Sequence, residues 1–246
     1  MEEIDMKIRG IAHRGYPGKF PENTLSSFQA ACDLNFTHVE LDVHLSKDGV
    51  PVVTHDYSID RLSDGKGFIR DYTLKELKQF SIGGTETIPT LEETMDLLKG
   101  KAKVLIELKQ AGDMYPNLEE ATLNVVYSTD TLEQSQIISF DHFSLMRTRE
   151  LNKDIELGAL CSGNMPHVFP FLKEMRCTFL GSQLKFLTPV YDKMMRDNGI
   201  VCGPGVIDSM EEMEIIAAKY PAALVTTNEL ERWADFYKSN PKLHLS

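Results

Sequence analysis

Short apolar runs closed by polar turns alternate with longer segments of helical spacing along almost the whole chain. The runs predict parallel strands over 8–13, 38–43, 103–108, 136–140, 156–161, 178–183, 200–203 and 223–227. Helical spacing predicts helices over 25–35, 91–98, 117–129, 143–151, 166–174, 189–198, 210–220 and 229–237. Thr24 can cap the first helix, Thr90 with Glu93 matches a capping box, and Asp208 or Ser209 can open the helix at 210. Gly100 and Gly199 stand where helices should end. Eight such alternations predict an α/β fold closed as a (β/α)8 TIM barrel rather than an open sheet. The 246 residues suit one barrel, so residues 1–246 are expected to form a single domain.

One segment departs from the rhythm. After the second strand, Ser46-Lys47-Asp48-Gly49 is followed by Val50-Pro51-Val52-Val53-Thr54-His55. An Asp-Gly turn between apolar runs predicts a β-hairpin extension of that strand. Counting back from the turn, residue 55 falls opposite residues 40–42, which sets His55 beside Glu40 and Asp42.

Composition narrows the partners. A formal net charge of -11 leaves no broad basic field for nucleic acid or an anionic membrane, so an anionic substrate needs a local cationic site. Cys32, Cys161, Cys177 and Cys202 form no CxxC pair, so neither a zinc cluster nor a disulfide framework is readable. The first residues lack a basic stretch followed by an apolar core, and no apolar run approaches the roughly 20 residues of a membrane span. A soluble, cytoplasmic protein without stable membrane association is expected.

In a β/α barrel the chemistry gathers at the C-terminal ends of the strands. The first strand ends in His13-Arg14, a proton-transfer group beside a fixed cation, although taken alone the motif suits a capping or solvated role better. Glu40 and Asp42 are two apart and share a face. Two carboxylates there need a cation or a shared proton, and a divalent hard cation or paired arginine and lysine would each serve. Glu107 can complete a set of three, with Lys109 in reach of a substrate oxygen; taken alone, that pair reads as an ordinary ion pair. His55, across the gap from His13, would supply a second proton-transfer group.

The segments Ile-Ala-His-Arg-Gly, Pro-Glu-Asn-Thr, Glu-Leu-Asp-Val and Lys-Asp-Gly-Val-Pro-Val-Val-Thr-His-Asp lie in this order and spacing between residues 11 and 56. Together they resemble the glycerophosphodiester phosphodiesterase family. The likeness continues through Asp60-Arg61, Gly65-Lys66-Gly67, Ile88 to Glu93, Glu107-Leu108-Lys109 and Ser139-Phe140. The resemblance implies metal-dependent hydrolysis of small glycerophosphodiesters to sn-glycerol 3-phosphate and an alcohol. It implies His13 and His55 as general acid and base, and Glu40, Asp42 and Glu107 as ligands of one divalent ion, Mg2+ or Ca2+. It further implies Arg14, Asn23 and Lys109 at the phosphate, Glu22 as a supporting group and Phe140 in the pocket wall. A lyase or lysophospholipase D-like route through a cyclic phosphate, and a non-catalytic phosphate-ester-binding barrel, are the alternatives. A lipid substrate ranks lower, because no apolar stretch marks the strand ends.

The likeness thins toward the C-terminus. A Trp-Thr-Val-Asn-like motif common in the family is replaced here by Gly205-Val206-Ile207-Asp208, and Thr226-Thr227-Asn228 stands where the family often has Thr-Asp. An apolar wall of the pocket is therefore expected to be lost or supplied from elsewhere. The stretch from His55 to the next helix, about 35 residues, is too short for a large inserted subdomain.

Overall fold

The computed structural model describes residues 6–244; residues 1–5, part of the opening stretch read for a leader, lie outside the described residues. Within the described residues the apolar runs become eight parallel strands. They are β1 (Ile8–His13), β2 (Phe36–Leu45), β4 (Lys103–Leu108), β5 (Ser135–Ser139), β6 (Glu156–Leu160), β7 (Cys177–Ser182), β8 (Val201–Pro204) and β9 (Thr226–Thr227). A short β3 (Pro51–Val53) pairs antiparallel with β2. The strands follow the order β8-β7-β6-β5-β4-β2-β1-β9. Between β8 and β9 the ring closes through single backbone bonds, Leu224 N to Cys202 O at 2.8 Å and Ile207 N to Thr226 O at 2.9 Å. The barrel expected from the sequence is thus the fold.

The final strand is shorter than the predicted 223–227. The Arg9 guanidinium takes the carbonyls of Ala222 and Ala223, so that end of the segment is satisfied by a side chain instead of a ladder.

The helices α1 (Leu25–Asp33), α3 (Leu91–Leu98), α4 (Leu118–Ser128), α5 (His142–Leu151), α6 (Val168–Glu174), α7 (Pro189–Asp197), α8 (Met210–Lys219) and α9 (Leu230–Ser239) follow the predicted spacing. Thr24 accepts from Ser27 N, and capping boxes form at Thr90 with Glu93 and at Ser209 with Glu212. The outward strand faces and these helices share one large apolar core, while Ile11, Leu105, Ile138, Phe179 and Leu224 fill the barrel interior.

The segment after β3 builds its own small cluster from Val52, Ile59, Ile69, Leu77, Ile82 and Ile88, with the one-turn α2 (Leu74–Leu77) over it. This lobe braces the hairpin and the loop that carries His55.

Candidate active site

Strand register assembles the site. His13 pairs with Glu40 across β1 and β2, and Asp42 pairs with Glu107 across β2 and β4. Ile11 and Leu105 lie two residues below His13 and Glu107 and point into the barrel core, so the polar pair sits directly above the interior packing. The hairpin register, Val43 with Val53 and His44 with Val52, carries on through Thr54 N to Asp42 O at 3.0 Å. That brings His55 to the same mouth, at the place counted from the turn.

The loop after β1 is shaped by backbone geometry. Gly15 has φ +81°, and a Cβ there would fall 2.3 Å from Ser27 Oγ, so the loop passes against the start of α1 only because this position has no side chain. Arg14 and Asn23 hold left-handed φ of 55° and 57° without being glycine. The strain is offset by Asn23 N bonding to Arg14 O at 2.9 Å and by Arg14 N donating to Glu40 Oε2 at 3.0 Å.

Glu40, Asp42 and Glu107 are buried, and one oxygen from each lies within 4.8 Å of the others. Burial pushes Glu40 well above the ordinary carboxylate range, and Asp42 and Glu107 add repulsion. Glu107 is pushed up to about 7 by burial and by Asp42. Burial also opposes the charge of Asp42, but Lys109 and Arg14 together hold its carboxyl low. Lys109 Nζ lies 2.5 Å from Glu107 Oε1 and 2.8 Å from Asp42 Oδ1. Glu40 Oε1 is buried without a partner. Three buried carboxylates balanced by one lysine and one arginine, with an oxygen left over, form a hard-donor set suited to one divalent ion.

The two histidines have different neighbours. His13 Nδ1 lies 2.8 Å from Asn228 Oδ1, and burial with the charge of Arg14 lowers its pKa to about 4. His55 Nδ1 lies 2.7 Å from Asp56 Oδ1, and burial lowers its pKa as well. Asp56 is held in turn by Arg61, which also reaches Glu22, and Glu22 accepts from Arg14 at 3.0 Å. An ion-pair chain thus ties the loop of His55 to that of His13.

His13, Arg14, Glu40, His55, Glu107, Lys109 and Phe140 border a cavity of about 330 Å³ at the barrel mouth. A second cavity shares His55, Glu107, Lys109 and Phe140 with it and extends toward Tyr57 and Phe68. Phe140, 56% exposed, stands where the two lobes meet. Asn23 borders neither: it is buried, and its amide donates to Asp42 Oδ2 at 2.8 Å, so the side chain expected at the phosphate is engaged by a carboxylate.

Three features escaped the sequence reading. His44 is buried, bonded at Nδ1 to Tyr115 OH (2.9 Å) and at Nε2 to His55 O (3.1 Å). The Asp208 carboxylate accepts three hydrogen bonds, two from Asn228 (N and Nδ2) and one from Thr227 Oγ1. The acid and the amide occupy each other's places relative to the resembled motif. On the side of Gly205 to Asp208 the cavity is bordered by Val206 and by Phe179 of β7, whose ring lies over Gly203, where a Cβ would fall 2.0 Å from Phe179 Cζ. Phe140 and Val206, both exposed, are apolar groups at the rim of the cavity.

The sequence and the fold match known proteins. Residues 13–232 match the model of the glycerophosphoryl diester phosphodiesterase family. A glycerophosphodiester phosphodiesterase of Caldanaerobacter subterraneus is 33% identical over 217 residues, covering 85% of this chain and 89% of that one. Among solved structures, an Oleispira antarctica phosphodiesterase in complex with the product sn-glycerol-3-phosphate superposes with a TM-score of 0.87 at 27% identity, covering 94% of this chain and 96% of that one. A glycerophosphodiester phosphodiesterase from Thermotoga maritima gives 0.76 at 28% identity, covering 94% and 98%.

Proposed function

The chain belongs to the glycerophosphoryl diester phosphodiesterase family, and on that premise we propose that it cleaves small glycerophosphodiesters by acid–base catalysis between His13 and His55. The observation that carries the reading is the convergence of both histidines, Arg14 and Lys109 on one cavity above three buried carboxylates.

A phosphodiester resists attack because its non-bridging oxygens are negative and its leaving alkoxide is poor. Arg14 and Lys109 would face those oxygens and neutralise them. Glu40, Asp42 and Glu107 would hold one divalent cation, Mg2+ or Ca2+, whose chemistry when bound is further neutralisation of phosphate charge. One histidine would take the proton of the attacking hydroxyl while the other gives a proton to the leaving oxygen. Asn23 would act through Asp42, and Glu22 through Arg14 and Arg61, each by orienting a charged partner. Phe140 would contact the substrate on both sides of the phosphate. The single-domain reading and a soluble, cytoplasmic setting belong to the same proposal; no helix among the described residues is long and apolar enough to cross a membrane.

Release of sn-glycerol 3-phosphate from glycerophosphocholine, followed with magnesium, with calcium and with chelator, tests the reading. Turnover removed by chelator and restored by metal supports it, and a folded protein without turnover under any of these conditions refutes it.

A second reading has one observation behind it. Phe140 and Val206 are exposed at the rim of the cavity and would lie against the acyl chain of a lysophospholipid. Lysophosphatidylcholine turned over faster than glycerophosphocholine would favour it, and phosphorus NMR of the product would reveal any cyclic phosphate.

A further inference from the structure

We propose that Asp208 is a positioning residue for this reaction: through Asn228 it fixes the ring proton of His13 on Nδ1 and leaves Nε2 as the proton acceptor at the cavity. The proposal rests on the reading of His13 as a proton-transfer group and assigns which of the two transfers it performs.

The argument is one of donors and acceptors. An Asp208 carboxylate can only accept, and it receives Asn228 N (2.8 Å), Asn228 Nδ2 (2.8 Å) and Thr227 Oγ1 (3.0 Å). With its NH2 committed to Asp208, the Asn228 amide has a fixed orientation, and its oxygen faces His13 Nδ1 at 2.8 Å. An amide oxygen only accepts, so Nδ1 must carry the proton. In the neutral ring Nε2 then bears the lone pair, on the edge away from Asn228. Asp208 is itself anchored from the helix side, where Arg232 donates to its carbonyl at 2.6 Å.

His55 differs in one respect. Its Nδ1 faces the carboxylate of Asp56 rather than an amide. A carboxylate stabilises imidazolium more than an amide oxygen does, so of the two rings His55 has the neighbour that favours its cation, and the proton-donor role falls to it. The exchange balances in atoms and charge. As the oxygen of the attacking hydroxyl forms its bond to phosphorus, its proton passes to His13 Nε2. As the bond from phosphorus to the alcohol breaks, the leaving oxygen receives a proton from His55. Solvent then takes the proton from His13 and returns one to His55.

The decisive measurement is 15N NMR of the His13 ring in the full chain at neutral pH, without substrate. The expected signature is a neutral ring protonated at Nδ1. In Asp208→Asn the Asn228 amide is free to turn over and Nε2-protonated ring should appear. A wrongly placed ring proton should lower kcat by about 10²-fold or more, while KM for glycerophosphocholine stays within about threefold. The exchange variant Asp208→Asn/Asn228→Asp again sets an acceptor against Nδ1 and should recover about tenfold or more of that loss. A wild-type His13 protonated at Nε2, a single variant with unchanged kcat, or an exchange variant no better than the single one would each overturn the proposal. Should Asp208→Asn not fold, the wild-type spectrum decides by itself. Absence of turnover in the wild-type protein would refute the functional reading and leave the ring measurement to judge this one.

Discussion

His44 Nε2 donates to the carbonyl oxygen of His55 across 3.1 Å, so a buried histidine of the second strand holds the loop that carries the half-buried one. Its other nitrogen accepts from Tyr115 OH, which fixes the tautomer that makes the first bond possible. Replacing His44 by Phe leaves the His55 carbonyl and the Tyr115 hydroxyl without partners. Unfolding in urea at pH 7 should show a loss of about 1–3 kcal/mol. Turnover should fall by roughly tenfold through the displaced His55 loop.

The same residue sets a pH dependence of stability. Burial lowers the His44 pKa to about 4, against about 6.5 in an unfolded chain. Between these values the unfolded state binds a proton that the folded state refuses. This contribution is therefore fully present above pH 6.5 and is lost as pH falls toward 4. Wild type should lose about 2 kcal/mol more than His44→Phe between pH 7 and pH 4.5. Parallel pH dependences for the two proteins would contradict the assignment.

His13→Ala and His55→Ala should each lower turnover by about 10²–10⁴-fold while retaining the wild-type circular dichroism spectrum. Both side chains are only partly buried, so neither deletion opens a core cavity. Near-normal kcat in either purified variant would remove that residue from the chemistry.

Glu40 offers a test of the metal reading without turnover. If Glu40, Asp42 and Glu107 hold a divalent ion, saturating magnesium or calcium at 100 times Kd should stabilise the fold by about 2.7 kcal/mol. Calorimetry should show the rise in Tm and its reversal by chelator. In Glu40→Gln the rise should shrink or vanish, and the apo protein should be no less stable than wild type because a strained buried acid has been neutralised.

What the sequence discloses about this molecule depends on contact range. The strands from Ile8 to Phe140 are predicted within about two residues at each end, because apolar runs and turn residues are local signals. Glu40 and Asp42 become legible as neighbours through the two-residue period, and His55 through the count across a hairpin. His44 does not, because its partners Tyr115 and the His55 carbonyl are reached by side-chain direction rather than spacing. The same holds for Asn228, which meets His13 across 215 residues, with only barrel closure to bring them together. The position of Asn23 was anticipated but its contact was not: an amide beside a phosphate site and an amide holding Asp42 look alike in sequence.

Phe179 packs in the barrel interior and also borders the cavity, and it supplies the last test. In the barrel interior its ring is bordered by Gly158, Gly181 and Gly203, where Cβ atoms would fall 2.9, 3.3 and 2.0 Å from it. Gly203→Ala should therefore force the ring from its position and cost about 1–3 kcal/mol by overpacking. Because Phe179 also lines the cavity, the displaced ring should raise KM for glycerophosphocholine. The double variant Gly203→Ala/Phe179→Leu relieves the clash and should recover much of the stability, while KM stays raised because the aromatic face is gone. Recovery of stability with KM still raised separates the two roles of this residue, packing beneath the site and forming its wall. If the double variant were no more stable than Gly203→Ala, the close approach of ring and backbone would not be what requires glycine at 203.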